Sequence, residues 1–175
     1  EARMASILNV DKIRATGSTT DGLTIDSSGR VQMPVVPAWR VGKTSNQDVS
    51  STGDVLITFN ETDTDNCFLQ GGVTLSSNLV TVPVAGVYQV NFVARVDGIG
   101  SGYVVARLQK NAVATGNSDT YCIVGDGMST TYDNLTMSDV FKADAGDNFR
   151  VLFYANSDNA YTINNNTTFS GHLVG

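Results

Sequence analysis

The sequence predicts an all-β chain, a two-layer sandwich or barrel over residues 37–175 preceded by a small β-rich segment over residues 1–36. Three observations carry this. Short apolar runs alternate with period two, which places every second side chain on one face of a strand. Clusters of Gly, Asn, Asp and Ser separate the runs. β-Branched residues dominate the runs, and no stretch of the body holds a helical spacing.

The segment over residues 1–36 is apolar-poor. Ile7 to Ile13 reads as a strand or a short helix. Gly22 to Pro34 reads as a hairpin, with Leu23 and Ile25 facing one way, Ser27-Ser28-Gly29 turning, and Val31 and Met33 returning. So few apolar groups cannot fold alone. The segment is expected to pack on the body, on its own copies, or on a larger assembly. Pro34-Val35-Val36-Pro37 reads as a stiff extended linker. Met4-Ala5-Ser6 reads as a natural start, with Glu1-Ala2-Arg3 either a remnant of expression or the end left by processing.

In the body, Val55 to Phe59 is the first apolar run, ended by Asn60-Glu61-Thr62-Asp63. Leu79 to Val82 leads into the turn signal Pro83-Val84-Ala85-Gly86. Val87 to Val96 alternates cleanly, with Tyr88, Val90, Phe92, Ala94 and Val96 on one face. Tyr103 to Gln109 places Val104, Ala106 and Leu108 together, and Lys110-Asn111-Ala112 turns. Tyr121 to Val124 is short. Leu135 to Phe141 sets Leu135, Met137, Asp139 and Phe141 against Thr136, Ser138 and Val140. Ala145-Gly146-Asp147 turns into an inward set of Phe149, Val151 and Phe153. Thr167 to Val174 closes the chain, with Phe169, Gly171 and Leu173 on one face. This amounts to about eight strands, the pattern of a sandwich or barrel. Val87, Val93, Val105, Val140 and Leu152 are apolar on the opposite face. A sandwich buries one face per strand, so this surplus predicts that a further face is covered, most simply by copies of the chain.

Composition limits the function. The 175 residues are 41% hydrophobic and only 16% charged, against roughly 25% charged in ordinary soluble domains. Net charge is −6 with no cluster of Lys and Arg, so a grip on nucleic acid is not expected. No run reaches the length of a membrane-spanning helix, and no signal peptide is evident. Cys67 and Cys122 sit in apolar surroundings and read as two buried free thiols, with a single disulfide as the other option.

Catalytic patterns are missing. His172 is the single histidine, so one chain cannot supply a catalytic triad or a two-histidine zinc site. Its reading is an outer-face side chain of the last strand, with a three-fold gathering of three copies as the alternative. No nucleophile elbow, phosphate loop or dinucleotide fingerprint occurs. Gly98 to Gly102 reads as a loop. Asp63, Asp65 and Asn66 bring oxygen ligands together without the glycine and terminal glutamate of a calcium loop, and read as a solvated turn. Asn60, Asn134, Asn165 and Asn166 begin N-x-Thr sequons, which matter only on a eukaryotic secretory route. No catalytic residue, cofactor or metal is therefore expected.

The stretch from Leu79 to Phe92, with Pro83, Gly86, Tyr88 and Phe92 at its centre, resembles the central motif of C1q-like domains. Trp39-Arg40-Val41, Ile57 to Asn60, Val105 to Asn111, Leu135 with Ala145-Gly146-Asp147, and Phe169 to Leu173 resemble further landmarks of that family in order, over residues 38–175. The resemblance implies a C1q/TNF-like jelly roll that forms a homotrimer and binds without chemistry. Met4 to Ile13 and Gly22 to Val31 resemble the short β-rich leader of structural proteins of tailed bacteriophages. There is no collagen-like repeat. These likenesses imply a virion appendage on the capsid or the tail, assembled in the bacterial cytoplasm. Residues 4–34 would hold it to other virion proteins, and the heads would be free for assembly or for a host-surface glycan or protein. A secreted recognition module is the alternative. A glycan-degrading enzyme would need paired carboxylates in a groove, and no such pair is evident. Trp39, Tyr103, Tyr132, Tyr154, Tyr161 and His172 are the candidates for the trimer interface or for surface binding, with filling of the core or the trimer axis as the competing reading of the aromatic rings. Tyr132 and Tyr161, in polar surroundings, are the favoured surface pair.

Overall fold

The computed structural model describes residues 10–19, 21–33, 35–50, 53–98, 102–111, 120–124, 132–157 and 160–175, with backbone alone for residues 120–124 and 157. The described residues contain strands and turns but no helix. The chain divides into two compact units, Glu1–Val36 and Pro37–Gly175.

The first unit holds an antiparallel sheet of β1 (Lys12–Ile13), β2 (Leu23–Ile25) and β3 (Val31–Gln32) in that order. Ile13 lies opposite Leu23, and Ile25 opposite Val31, so these four share one face. The expected hairpin forms. Its turn is held by Asp26, whose carboxylate accepts from the backbone N–H of Ser28 and Arg30 and from the Arg30 guanidinium at 2.7 Å. Those same bonds hold the Asp26 carboxyl below the usual carboxylate range. The run before Ile13 is strand only over Lys12–Ile13, and Ile7 to Asn9 lies outside the described residues.

The second unit is two packed antiparallel sheets. The first contains β4 (Ala38–Val41), β5 (Gln47–Val49), β7 (Phe68–Gln70), β10 (Gly86–Asp97), β13 (Tyr132–Ala143), β15 (Tyr161–Ile163) and β16 (Thr168–Leu173). The long strand β10 is flanked by β13 on one side and by β16 and β15 end to end on the other. The second contains β6 (Gly53–Leu56), β8 (Thr74–Ser76), β9 (Leu79–Thr81), β11 (Gly102–Lys110), β12 (Thr120–Val124) and β14 (Asn148–Ser157). Here β11 lies between β12 and β14, and the far edge of β14 takes both β6 and β9. The excess over eight strands comes from short pieces such as β5, β7, β8 and β15, three residues each.

Alternation sorts the side chains as expected. Tyr88, Val90, Phe92, Ala94 and Val96 of β10 face Val104, Ala106, Leu108, Phe149, Val151 and Phe153 of the other sheet in one core, all buried. Trp39 sits at its centre. Its ring stacks on Phe149 across the sheets at 6.2 Å and meets Phe169 edge-on at 5.9 Å and Tyr88 at 6.2 Å. The residue paired with Trp39 on β16 is Gly171. A Cβ there would lie 2.4 Å from two indole carbons and 2.8 Å from the Gln89 carbonyl oxygen. The indole therefore occupies the space that a side chain at 171 would need.

Two departures occur. The run Val55–Phe59 leaves the sheet after Leu56, although Ile57 and Phe59 remain buried. Side chains take over its backbone groups. Gln47 donates to the Leu56 carbonyl and accepts from the Thr58 N–H, Lys43 donates to the Thr58 carbonyl, and Asn78 accepts from the Phe59 N–H. Asp139, grouped by spacing with the inward set, lies opposite Val90 yet is exposed, while Met137 and Phe141 on either side of it in the same edge strand are buried. Its carboxylate accepts from the N–H of Val140 at 2.7 Å.

Gly171→Ala is expected to cost about 3 kcal/mol, because the indole and a backbone carbonyl both block relief. Urea denaturation checks this. Ser170→Ala, on the opposite face of β16, is expected to stay within about 0.5 kcal/mol.

Candidate functional site

The body presents two outer sheet faces, and the candidates fall differently on them. Trp39 and Tyr161 are corrections to the surface set: they are 1% and 2% exposed and belong to the core. Trp39 leads a buried cluster on the inward side of β4. Tyr161 looks polar by its neighbours in sequence, but it opens β15, whose alternation turns it inward with Ile163. Tyr132 begins β13 rather than lying in a loop, and it is 50% exposed.

On the first sheet, the outer face is traced by register. Val140, Gln89, His172 and Ala38 form one cross-strand row. Ser138, Asn91, Ser170 and Arg40 form the next, and Thr136, Val93 and Thr168 the third. Val93 and Val140 are 43% and 52% exposed, and Val87 and Phe68 are exposed on the same side. Gln89 donates across the sheet to the Ser138 hydroxyl at 2.8 Å. At the end of this face, the Arg95 guanidinium lies 4.7 Å over the Tyr132 ring and pairs with Asp97 at 2.7 Å. The face is thus mostly uncharged, with apolar patches between short polar side chains.

On the second sheet, the outer face carries Tyr103, Val105, Arg107 and Gln109 of β11 beside Asn156, Tyr154, Leu152 and Arg150 of β14. The surplus apolar positions split here. Val105 is buried and Leu152 half-buried, in contrast to Val87, Val93 and Val140 on the first sheet. Tyr103 and Tyr154, 6.0 Å apart, are brought together, with Arg107 lying 5.1 Å over the Tyr154 ring and paired with Asp54 at 2.9 Å. The neighbouring Tyr103 hydroxyl pushes the Tyr154 phenol upward. Arg107 and Asp54 were not singled out by sequence. They are distant in the chain, and only the β6–β14–β11 register joins them.

Among the described residues no three His, Cys, Asp or Glu side chains are grouped to hold a metal ion. Asp63 and Asp65 lie in an exposed turn that Thr64 organises by accepting from the N–H of Asn66 and Cys67. Cys67 is a buried free thiol, raised chiefly by burial. The Cys122 side chain and residues 99–101 of the glycine-rich loop lie outside the described residues. The turns Lys110-Asn111 and Ala145-Gly146-Asp147 clamp one another, with Asn111 donating to Asp147 at 2.7 Å and Asp147 accepting from the Asp144 N–H at 2.9 Å. Burial raises the Asp147 carboxyl, but these bonds and Lys110 outweigh it and leave it lowered. Tyr161 is pushed up to about 12 by burial, and its hydroxyl has no hydrogen-bond partner among the described residues.

Lys43 is the buried cation. Its ammonium donates to Gln47 Oε1 at 3.0 Å and to the Thr58 carbonyl at 2.9 Å, and burial lowers it from 10.5 to about 8. From about pH 8 to 10.5 the unfolded chain holds this proton and the folded chain does not, so stability rises with pH. Tyr161 acts oppositely: above pH 10 the unfolded phenol ionises first, and stability falls. Chemical denaturation across this range is expected to show a rise of the order of 2 kcal/mol in the chain relative to Lys43→Met. Tyr161→Phe is expected to be neutral or to stabilise by about 1 kcal/mol, since it removes an unpaired buried hydroxyl, and to soften the fall above pH 10.

Compared with known proteins, the chain matches no family model and no curated sequence.

Proposed function

We propose that this chain is a non-enzymatic structural protein of a tailed bacteriophage virion, a trimeric appendage whose residues 4–34 attach it to other virion proteins. The sandwich is read as a jelly roll. Its pairs β4–β16, β9–β14, β10–β13 and β11–β12 nest inside one another in sequence, as in a long ribbon rolled into two sheets.

The observation that carries the assembly is the outer face of the first sheet. Exposed Val87, Val93 and Val140 lie on a face of mostly Gln, Asn, Ser and Thr side chains, with Lys142 opposite Val87 and Arg40 in the next rows. Such a surface is weakly hydrated and crossed by few charges, so contact with its own copies removes apolar area at small polar cost. The three-fold arrangement and the virion setting rest on the resemblances of the body and of the leader. The single-faced apolar sheet of the first unit supports attachment, since Ile13 and Val31 are exposed on it. The binding energy of each copy can then be small, because three linked heads raise avidity.

Size-exclusion chromatography with light scattering is expected to give three times the 18.5 kDa chain mass. Val93→Arg combined with Val140→Arg is expected to yield a folded monomer with unchanged circular dichroism. A native chain that stays monomeric at micromolar concentration refutes the assembly. Proteomics of purified phage particles is expected to contain the chain, and its absence refutes the virion setting.

A further inference from the structure

The second sheet's outer face faces away from the proposed assembly face, since the two sheets are the opposite layers of one sandwich. Tyr103 is 39% exposed there, the one large apolar side chain on that face with such exposure among the described residues. Its ring is fixed rather than free. β11 and β14 pair continuously from Gly102–Ser157 to Lys110–Phe149, and Tyr154 packs against the ring at 6.0 Å. Around the Tyr103–Tyr154 pair stand groups of both hydrogen-bonding senses. Asn156 lies directly across the ladder and is exposed, the Arg107 guanidinium offers donors, and the half-exposed Asp54 carboxylate offers acceptors.

We propose that Tyr103, with Asn156 across the ladder and, on the far side of Tyr154, Arg107 and Asp54, is a stacking site for neutral pyranose rings of a surface polysaccharide. A protein partner fits poorly, since a stable protein interface needs roughly 800 Å² per side with an apolar centre, and among the described residues of this face one ring is exposed. A small molecule fits poorly too, because such ligands sit in concave pockets and this is a sheet face. An extended sugar chain needs neither. The C–H face of a pyranose covers an aromatic ring, and its hydroxyls meet fixed donors and acceptors at the margin. Neutral rather than acidic sugars follow from the charges. Asp54 already neutralises Arg107 at 2.9 Å, and the chain carries a net charge of −6, which repels polyanions. The site deepens the host-attachment part of the proposed function and rests on that reading for the source of the glycan.

A glycan array of neutral hexose oligosaccharides, sialylated glycans and sulfated glycans tests it on the full chain, with light scattering on the same samples. Binding to neutral members is expected, with at least a ten-fold loss in Tyr103→Ala, retention in Tyr103→Phe, and unchanged assembly mass in both. No binding to any neutral glycan, binding confined to acidic glycans, or binding indifferent to Tyr103→Ala each overturns the site. If glycan binding survives in the monomeric Val93→Arg/Val140→Arg chain, the site stands apart from the assembly.

Discussion

The body depends on one indole filling the place of one missing side chain. Trp39 stands on the first strand of the body and Gly171 on the last, and they lie opposite one another. Through Phe149 the same ring reaches the second sheet. The contact therefore joins the beginning and end of the unit with both of its layers. Pairing strands so far apart in sequence has a large loop-closure cost, and such topologies fold slowly. The partners of Trp39, on β7, β10, β14 and β16, all lie far along the chain from it. The Trp39 Nε1–H has no partner among the described residues, so packing area and ring contacts hold the indole.

Around that centre the turns are fastened by side chains. The Tyr88 hydroxyl donates to the Val84 carbonyl at 2.8 Å, which ties the Pro83–Gly86 turn to the core strand that follows it. Gly86 receives the other end of the chain: a Cβ there would lie 2.4 Å from the Leu173 side chain and 3.0 Å from the Gly175 carbonyl oxygen. Asn111 and Asp147 do the same for two other turns. A chain with few charges thus uses neutral amides and carboxylates locally, where a single hydrogen bond sets a loop.

Much of this is legible in the residues. Strands with a clean period of two, from Tyr88 to Val96 and from Phe149 to Phe153, declare their faces because one face meets only core. What escapes is information held between strands. Tyr161 has polar neighbours in sequence, and only its pairing with Val49 places it inside. Val55 to Phe59 reads as one strand because burial continues through Phe59, whereas the backbone leaves the sheet once Gln47 and Lys43 replace its partners. Val105 and Val140 look equivalent by pattern. One is buried and the other is exposed, a difference of place in the fold rather than of alternation. The Arg107–Asp54 pair is invisible for the same reason.

The edge strand β13 runs twelve residues with one side unpaired by any described strand. An open edge of that length is a template on which further chains could extend the sheet without limit. Asp139 interrupts it: a carboxylate stands where the alternation calls for an apolar group, and it occupies the N–H of Val140. A strand laid alongside would have to desolvate that charge and break that bond. At high local concentration this charge therefore disfavours open-ended ribbons grown along β13.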